Sequence, residues 1–336
     1  MKTNARKRKL LMNTIFLVMI LLIAILLGIL GIMQIRKDKN LDMQFSYQER
    51  ETEQDAGTKV FQTAKPFAAE LCVAYDNVGA EGISMPGNEK SCLLDVDDKT
   101  VIYAQDMHEK AYPASITKIM TAILAVKYGN MDDAVTVSQN AVTLEEGSQV
   151  CGFQAGDIVT MDELFHGLLV YSGNDAAMAI AEHVGGSVDH FVEMMNEEAR
   201  KIGATNTNFV NPSGLHDDNH YTTAYDVYLM LNEALNYDYF VDTMQLSVYN
   251  LSFTRGSETV QVHLDSTDHY LTGETSPPPG VTVLGGKTGT TSQAGACLAI
   301  LSQNDYGAPY VSIVLNASTK TNLYDDMNQL LSKINS

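Results

Sequence analysis

The sequence of 336 residues has no tryptophan, four cysteines and few cationic side chains. Four cysteines in a chain of this length are too few for a scaffold built on disulfide bonds. Lysine and arginine together number 22, against 41 aspartate and glutamate residues, so the formal net charge is -19. A phosphate-binding surface requires the opposite sign, which excludes nucleic acid as a partner. Because 45% of the residues are hydrophobic, we expect a folded chain.

Charge is absent from the 24 residues that run from Leu10 to Met33. As a helix this run would be about 36 Å long, enough to cross a hydrocarbon layer of about 30 Å. Its amino-terminal flank is the more basic one and should stay in the cytoplasm. We therefore predict a cytoplasmic tail at 1–9 and a single-pass anchor at 10–33. The alternative, a cleaved signal peptide, needs a shorter apolar segment and a small-x-small cleavage site, and the sequence shows no such site near residues 28–34.

The basic residues are concentrated at this end of the chain. The first 39 residues hold eight of the 22 basic residues and one acidic residue, Asp38. The remaining 14 basic and 40 acidic residues give a net charge of -26. Residues 34–68 are polar and charged and show no sustained hydrophobic period, which predicts a tether. We expect one folded domain at 69–336, outside the cytoplasm, and its acidity is that of an exported domain that repels its neighbours.

Within that domain the hydrophobic periods change from strand-like to helical and back. Strands are predicted at 71–75, 92–96, 100–103, 246–253, 259–264, 281–284, 296–301 and 311–315. Helices are predicted at about 115–128, 161–170, 175–184, 188–202, 223–235 and 322–334. This order predicts an α+β fold with one antiparallel sheet flanked by helices and an inserted helical subdomain at about 130–240.

Ser115 and Lys118 lie at the predicted start of a helix, where a separation of three residues places them on one face. A serine hydroxyl becomes a good nucleophile when a neighbouring base takes its proton. A lysine amine can act as that base if burial or a second cation lowers its pKa. The pair alone is a weak signal, because a Ser-x-x-Lys occurs about once by chance in a chain of this length.

Two further segments carry chemistry. Residues 171–175, Tyr-Ser-Gly-Asn-Asp, form a polar break between two predicted helices, which places Ser172 and Asn174 in a connecting loop. An ordinary helix cap is the alternative interpretation. Residues 285–291, Gly-Gly-Lys-Thr-Gly-Thr-Thr, precede a predicted strand and on their own could be a turn. They are not a phosphate-binding loop, because the glycine spacing before Lys287 is missing.

In this order, Ser-x-x-Lys, Ser-x-Asn and Lys-Thr-Gly are the motifs of penicillin-binding proteins and class A β-lactamases. The chain resembles the low-molecular-weight penicillin-binding proteins that are serine-type D-alanyl-D-alanine carboxypeptidases. The resemblance runs from about residue 92 to residue 333. It also includes signature-like stretches at 113–121, 172–177, 195–196, 211–215 and 223–226. It implies the β-lactamase/transpeptidase-like fold.

The resemblance also implies a reaction. A membrane-anchored, extracytoplasmic enzyme of this family would remove the terminal D-alanine from peptidoglycan stem pentapeptides, with no cofactor and no metal. Ser115 would form the acyl-enzyme and Lys118 would be the general base. Ser172 would relay a proton to the departing amine, and Asn174 would hold the substrate amide and Lys118. β-Lactam antibiotics would act as covalent inhibitors.

The third motif is implied to bind the substrate. Lys287 and Thr288 would receive the terminal carboxylate, and Gly289 and Thr290 continue the motif. The backbone N–H groups of Ser115 and Thr290 would bind the oxyanion, a type of interaction commonly worth about 3–4 kcal/mol of barrier per donor.

The chain departs from the family at one binding residue. Members commonly carry an arginine after the strand that follows Lys-Thr-Gly, but this sequence has no arginine beyond Arg255. Either Lys320 substitutes, less well for a bidentate carboxylate, or Lys287 and Thr288 suffice. Some members also have a second, all-β domain and a carboxy-terminal amphipathic anchor. We expect neither here, and we expect the amino-terminal helix to attach the chain to the membrane.

Alternative functions of the same superfamily are a DD-endopeptidase and a β-lactamase, and a non-catalytic penicillin-binding sensor is the alternative from another class. A β-lactamase needs a deacylating group, and Glu233 has the wrong spacing for it. A sensor needs a signalling domain, for which a tail of about nine residues is too short. His216 and His220 superficially indicate a metal site, although a solvated loop is the better interpretation. The sequence leaves open whether Cys72 and Cys92 form a disulfide.

Overall fold

The computed structural model describes residues 70–335. The predicted tail at 1–9, the anchor at 10–33 and the tether at 34–68 therefore all lie outside the described residues. Among the helices of residues 70–335, none is long and apolar enough to cross a membrane. The first predicted strand, at 71–75, is wrong, because this segment is not a strand and pairs with none of the described strands. The nearest pairing is an isolated bridge between Val78 and Ala104.

The strands and helices follow one another in an order close to the predicted one. The strands of the described part are β1 (Lys90–Asp95), β2 (Thr100–Gln105), β3 (Ala134–Thr136), β4 (Ile158–Thr160), β5 (Val248–Arg255), β6 (Glu258–Asp265), β7 (Val281–Thr291), β8 (Gly295–Asn304) and β9 (Pro309–Ala317). Its helices are α1 (Lys118–Tyr128), α2 (Met161–Leu169), α3 (Asn174–Gly185), α4 (Val188–Lys201), α5 (Ala224–Ala234), α6 (Asp238–Met244), α7 (His269–Thr272) and α8 (Lys320–Leu331). A short 3-10 helix, Ala114–Thr117, precedes α1.

The strands form two antiparallel sheets, which corrects the prediction of a single sheet. The main sheet has the order β2-β1-β9-β8-β7, and the second has the order β3-β4-β5-β6. The hairpin of β5 and β6 extends the second sheet well beyond residue 240, where the predicted helical subdomain ends. Residues 285–291 are part of β7 and not a turn, since Gly285 to Thr291 pair in register with Leu301 to Gly295 of β8.

Both faces of the main sheet are covered by helices. Because successive residues of a strand point to opposite faces, apolar residues that are neighbours in one strand contribute to two different cores. Leu298 and Ile300 of β8 pack with Leu323 and Met327 of α8. The intervening residues of β8, such as Ala299, belong to the core shared with α1 and α5. Because α1 lies in this core, its residues 118–125 are all buried. Lys118, the only charged residue among them, is the first residue of this buried helix and thus lies inside the protein.

The four cysteines are all buried and none is in a disulfide. Cys72 donates a hydrogen bond from its thiol to the carbonyl oxygen of Asp95. Cys92 lies in β1 and Cys297 in β8, where both contribute to the core. The pairing of Cys72 with Cys92 that the sequence left open is therefore not formed in this structure.

Candidate active site

Ser115 and Lys118 lie at the junction between the 3-10 helix and α1. The amine of Lys118 donates a hydrogen bond of 3.0 Å to the hydroxyl oxygen of Ser115. A separation of three residues at a helix start is what permits this contact. The predicted nucleophile and the predicted base are thus brought together by local structure alone.

Lys118 has no exposed surface, and its amine is held by oxygen atoms from three parts of the chain. Besides Ser115, it donates to Oδ1 of Asn174 at 2.7 Å and to the carbonyl oxygen of Ser213 at 2.7 Å. Burial, together with the nearby charge of Lys287, holds the pKa of Lys118 well below its usual value of 10.5. The site therefore favours the neutral amine, whose two N–H groups bond to Asn174 Oδ1 and Ser213 O. Its lone pair then faces the Ser115 hydroxyl and can accept that proton.

The second motif lies between α2 and α3. Ser172 has a left-handed backbone, with φ 67°, whereas Asn174 is the first residue of α3 and not a loop residue as predicted. Asn174 does not cap the helix, because its side-chain oxygen faces Lys118. The capping alternative is not borne out, because Gly173 is the N-cap of α3 and no described side chain caps it. The carboxylate of Asp175 instead accepts hydrogen bonds from Ala176 N and from the backbone N–H groups of residues 151–153. Asp175 thereby anchors the preceding loop beside the site.

Lys287, the first residue of the Lys-Thr-Gly motif, contacts Ser172 of the second motif. Its amine donates to Ser172 Oγ at 2.9 Å and to the carbonyl oxygen of Thr288 at 2.9 Å. Burial lowers the pKa of Lys287 to about 7, while Asp268 acts in the opposite direction. The hydroxyl of Thr288 lies 2.5 Å from that of Thr267. The three motifs therefore form one continuous polar network.

Two glycines allow the backbone to approach Ser115 closely. A Cβ atom on Gly289 would lie 2.9 Å from both Pro113 O and Ser115 N, so only glycine lets β7 run this near to the serine. Gly214 has φ +86°, and a Cβ atom there would lie 1.8 Å from Ala114 O. Ala114 itself has a left-handed φ of 47°. The segment around Ser115 is thus held in an uncommon conformation from two sides.

These side chains line a cleft of about 210 Å³. Of the eight predicted site residues, Ser115, Ser172, Asn174, Thr288, Gly289 and Thr290 line it. The other two, Lys118 and Lys287, are buried directly behind it and contact Ser115 and Ser172. Lys320, proposed as a substitute for the missing arginine, also lines the cleft at the start of α8.

Some residues of the site were not predicted. They include Gln149, Thr267, His269 and Tyr324, which line the cleft, and Asp268, which lies behind it. His269 stacks on Tyr324 with ring centroids 4.6 Å apart, forming one aromatic wall. These residues lie on separate segments that the tertiary fold brings together, and no spacing in the sequence marks them.

Other residues considered in the sequence have structural roles. Glu233 accepts hydrogen bonds from Lys127 and from the hydroxyl of Tyr237, and it does not line the cleft. His220 is buried, and burial lowers its pKa to about 4. Its Nδ1 accepts from Val210 N, so the neutral ring donates from Nε2 to Thr117 Oγ1. His220 thus supports the segment beneath the nucleophile.

Solved structures place this fold in a known class. The Streptomyces K15 DD-transpeptidase aligns with a TM-score of 0.67 over 74% of this chain and 98% of that protein, at 23% identity. D-alanyl-D-alanine carboxypeptidase DacD from Francisella tularensis aligns with a TM-score of 0.62 over 78% of this chain and 72% of that protein, at 24% identity. At these identities the comparison establishes the α+β transpeptidase-like fold.

The sequence narrows the class to a family. The profile of the D-alanyl-D-alanine carboxypeptidase family matches residues 87–319, and the chain belongs to that family. D-alanyl-D-alanine carboxypeptidase DacF of Bacillus subtilis is 34% identical over 69% of this chain and 58% of its own length. DacC of Escherichia coli is 31% identical over 79% of this chain and 63% of its own length. The family resemblance of the motifs is thus confirmed, although the chain spans only about three fifths of these curated relatives.

Proposed function

We propose that this chain is a serine D-alanyl-D-alanine carboxypeptidase that removes the terminal D-alanine from peptidoglycan stem pentapeptides. One observation carries the proposal. The fully buried amine of Lys118, whose pKa is lowered, contacts the hydroxyl of Ser115 at the edge of a cleft. A neutral amine in that position is a general base for a serine nucleophile.

In the first half of the reaction, Lys118 takes the hydroxyl proton while Ser115 Oγ bonds to the carbonyl carbon of the penultimate D-alanine. The backbone N–H groups of Ser115 and Thr290 stabilise the oxyanion. The C–N bond then breaks, and the proton held by Lys118 passes through Ser172 to the nitrogen of the departing D-alanine, which leaves Lys118 neutral again. Asn174 holds the substrate amide and Lys118. The products of this half are free D-alanine and an ester on Ser115.

In the second half, water attacks the ester and Lys118 takes a proton from the water. The ester bond breaks, Ser115 regains its proton, and the shortened stem peptide leaves. No metal and no cofactor take part in either half. Penicillins enter the same sequence as far as the ester, so they would act as covalent inhibitors.

The substrate carboxylate binds at the end of the cleft formed by the third motif. Lys287 supplies a buried amine and Thr288 a hydroxyl, and Gly289 allows the strand to lie against the serine. Lys320 lines the same cleft and carries the charge that an arginine supplies in other family members. A lysine offers a single point of charge in place of a planar fork.

The location of the chain is a further part of the proposal. Residues 10–33 would cross the membrane once, with residues 1–9 in the cytoplasm, 34–68 as a tether and 69–336 outside. The uninterrupted apolar run and its basic flank support this arrangement. It would bring the catalytic domain to peptidoglycan. Protease added to intact cells should release the domain, and protection of the domain would contradict the arrangement.

One structural observation bears on the alternatives. Among the described residues that line the cleft, none is an aspartate or a glutamate. A β-lactamase that deacylates with a glutamate needs such a group beside the acyl-enzyme. The structure therefore supports slow release of penicillin over rapid turnover. The same observation does not distinguish the carboxypeptidase from the endopeptidase or the sensor.

A direct test uses the full chain in detergent with a fluorescent penicillin and a pentapeptide ending in D-Ala-D-Ala. We expect covalent labelling, release of D-alanine and loss of both in Ser115→Ala. Ser257→Ala, at an exposed turn, is the matched control and should behave as the wild type. Labelling without D-alanine release would contradict the carboxypeptidase and favour a sensor, whereas rapid penicillin turnover would favour a β-lactamase. Cleavage of cross-linked dimers would indicate an endopeptidase.

A further inference from the structure

Asp268 is a buried carboxylate that the proposed mechanism does not use. It lies between β6 and α7 and has 2% of its surface exposed. Its Oδ1 accepts a hydrogen bond of 3.0 Å from Tyr270 N and a longer one of 3.5 Å from the hydroxyl of Tyr324. Within the described residues its Oδ2 has no hydrogen-bond partner. A buried carboxylate with one oxygen left bare is costly unless a charge nearby compensates it.

Two basic side chains, His269 and Lys287, act on this carboxylate, and Lys287 is the one that belongs to the third motif. Thr267, the residue before Asp268, contacts the Thr288 hydroxyl at 2.5 Å, and the carbonyl oxygen of Thr288 accepts from the Lys287 amine at 2.9 Å. This contact fixes the Asp268 segment against the strand that carries Lys287. Burial raises the pKa of Asp268 to about 6, and the backbone N–H of Tyr270, His269, Tyr324 and Lys287 act in the opposite direction. Burial lowers the pKa of Lys287 to about 7, and Asp268 acts against this shift.

The charged groups around these residues come from several elements. Lys287 faces Asp268 from the segment before α7 and Lys118 from α1. Lys118 in turn faces Asp175 at the start of α3 and the Cys151 thiol of the loop before β4. The remaining groups that face Asp268 are His269 and the hydroxyls of Tyr270 and Tyr324. The two amines thus share one buried site, but each has its own nearby carboxylate. Asp268 is near Lys287, and Asp175 is near Lys118.

We propose that Asp268 is a positioning residue whose negative charge keeps the proton on Lys287, so that Lys287 carries the charge and Lys118 remains the neutral base. The proposal rests on the proposed function for the roles of the two lysines. Without a carboxylate at 268, burial would oppose a charge on Lys287 with no nearby negative charge to offset it. The site would then lose the cation that receives the substrate carboxylate.

Asp268→Asn distinguishes the effect of the negative charge at this position from the effect of its hydrogen bond and size. Asparagine keeps an oxygen that can accept from Tyr270 N and has nearly the same size, but it carries no charge. We expect Lys287 to lose its proton at a lower pH, by about 1 unit or more, as expected for the removal of an opposite charge nearby. Asp325→Asn, an exposed carboxylate on α8, is the matched control and should leave the titration unchanged.

The first measurement is the rate of penicillin labelling of the full chain as a function of pH. For Asp268→Asn we expect rates within about twofold of the wild type near pH 5, where Asp268 is largely protonated in the wild type and Lys287 holds its proton in both proteins, and a loss of about tenfold near pH 8.5. An unchanged pH profile would overturn the proposal. A uniform loss at every pH, with a lower melting temperature, would also overturn it and indicate a purely structural role for Asp268.

The second measurement does not depend on activity. The side-chain nitrogen of Lys287 is followed by NMR in the full chain labelled with ¹⁵N-lysine, and its signal is assigned by its loss in Lys287→Arg. A lower titration midpoint in Asp268→Asn supports the proposal, and an equal midpoint overturns it. If the wild type is labelled by penicillin but releases no D-alanine, the proposed function fails while both measurements still test Asp268.

Discussion

Lys287 donates a hydrogen bond of 2.9 Å to the hydroxyl of Ser172, across 115 positions of sequence. On the other side of the cleft, Lys118 makes the corresponding contact with Ser115 at 3.0 Å. Each serine hydroxyl is thus paired with its own lysine, and both lysines are fully or almost fully buried. Two amines that lose solvent together cannot both hold a charge at low cost, and the site therefore divides the roles of base and cation between them.

Removing the Lys118 amine tests its assignment as the base. We expect Lys118→Met to slow acylation by penicillin by at least about 100-fold, which is the lower range for loss of a general base. Lys201→Met removes an exposed lysine of α4 and should leave the rate unchanged. The rate is measured by mass spectrometry of the acylated chain. Acylation of Lys118→Met at the wild-type rate would show that another group takes the serine proton.

The close approach of β7 to Ser115 can be tested at Gly289. A methyl group at this position would lie 2.9 Å from Ser115 N, so Gly289→Ala must push the strand away from the serine. We expect acylation to slow by about 100-fold, as for a displacement of about 1 Å in a catalytic arrangement. Gly87→Ala, where a Cβ atom meets nothing within 4 Å, is the control. Equal rates for the two variants would contradict the tight approach.

The features predicted correctly from the sequence are those that depend on local spacing. The Ser115–Lys118 contact follows from a separation of three residues, and the hairpin of β1 and β2 follows from two apolar runs joined by a polar turn. The long helices α2 to α5 were predicted within about two residues of their ends. In these elements the hydrophobic period and the structure agree because one face of each element is buried.

The features that were missed depend on tertiary structure. β3 and β4 have three residues each, too few to show a period, so the second sheet was not predicted. Gly285 and Gly286 interrupt the apolar pattern of β7, and for that reason the third motif resembled a turn. The charge pairing of Asp268 with Lys287 depends on how the segment before α7 packs against β7. No pattern within a single segment carries that information.

Asp175 connects the second motif to the loop that forms one wall of the cleft. Its carboxylate accepts backbone hydrogen bonds from residues 151–153 and from Ala176. Asp175→Asn places an amide NH₂ against some of these donors, and we expect the free energy of unfolding to fall by about 2–3 kcal/mol. Urea denaturation measures this, with Asp189→Asn on the exposed face of α4 as the control. A loss no greater than that of the control would show that the loop does not depend on the carboxylate.

Replacing Lys320 tests whether it binds the substrate carboxylate in place of the arginine that other family members carry. Lys320 is exposed and lines the cleft, so its attraction for a bound carboxylate is screened by water. We expect Lys320→Met to raise the KM for the pentapeptide by about two- to fivefold with little change in kcat. Lys201→Met again serves as the control. An unchanged KM would show that Lys287 and Thr288 bind the carboxylate without help.

Glu89 gives the fold a pH dependence away from the site. It is fully buried between the start of β1 and α8, neither of its oxygens receives a hydrogen bond from a described donor, and Asp326 lies beside it. Burial and Asp326 raise the pKa of Glu89 from 4.5 to about 8. Because the folded state holds this proton more tightly, its stabilising effect is complete below about pH 4.5 and is lost as the pH rises through about 8.

Glu89→Gln removes this titration while keeping a donor for Asp326. Above about pH 8 we expect the variant to be more stable than the wild type by about 1–3 kcal/mol, the cost of a buried polar group without a partner. The difference should shrink as the pH falls toward 5, because the wild-type carboxyl then regains its proton and can donate to Asp326. Urea denaturation at several pH values measures both limits, with the exposed Glu258→Gln as control. A difference that stays constant across this range would mean that the stability effect arises from packing and not from the proton on Glu89.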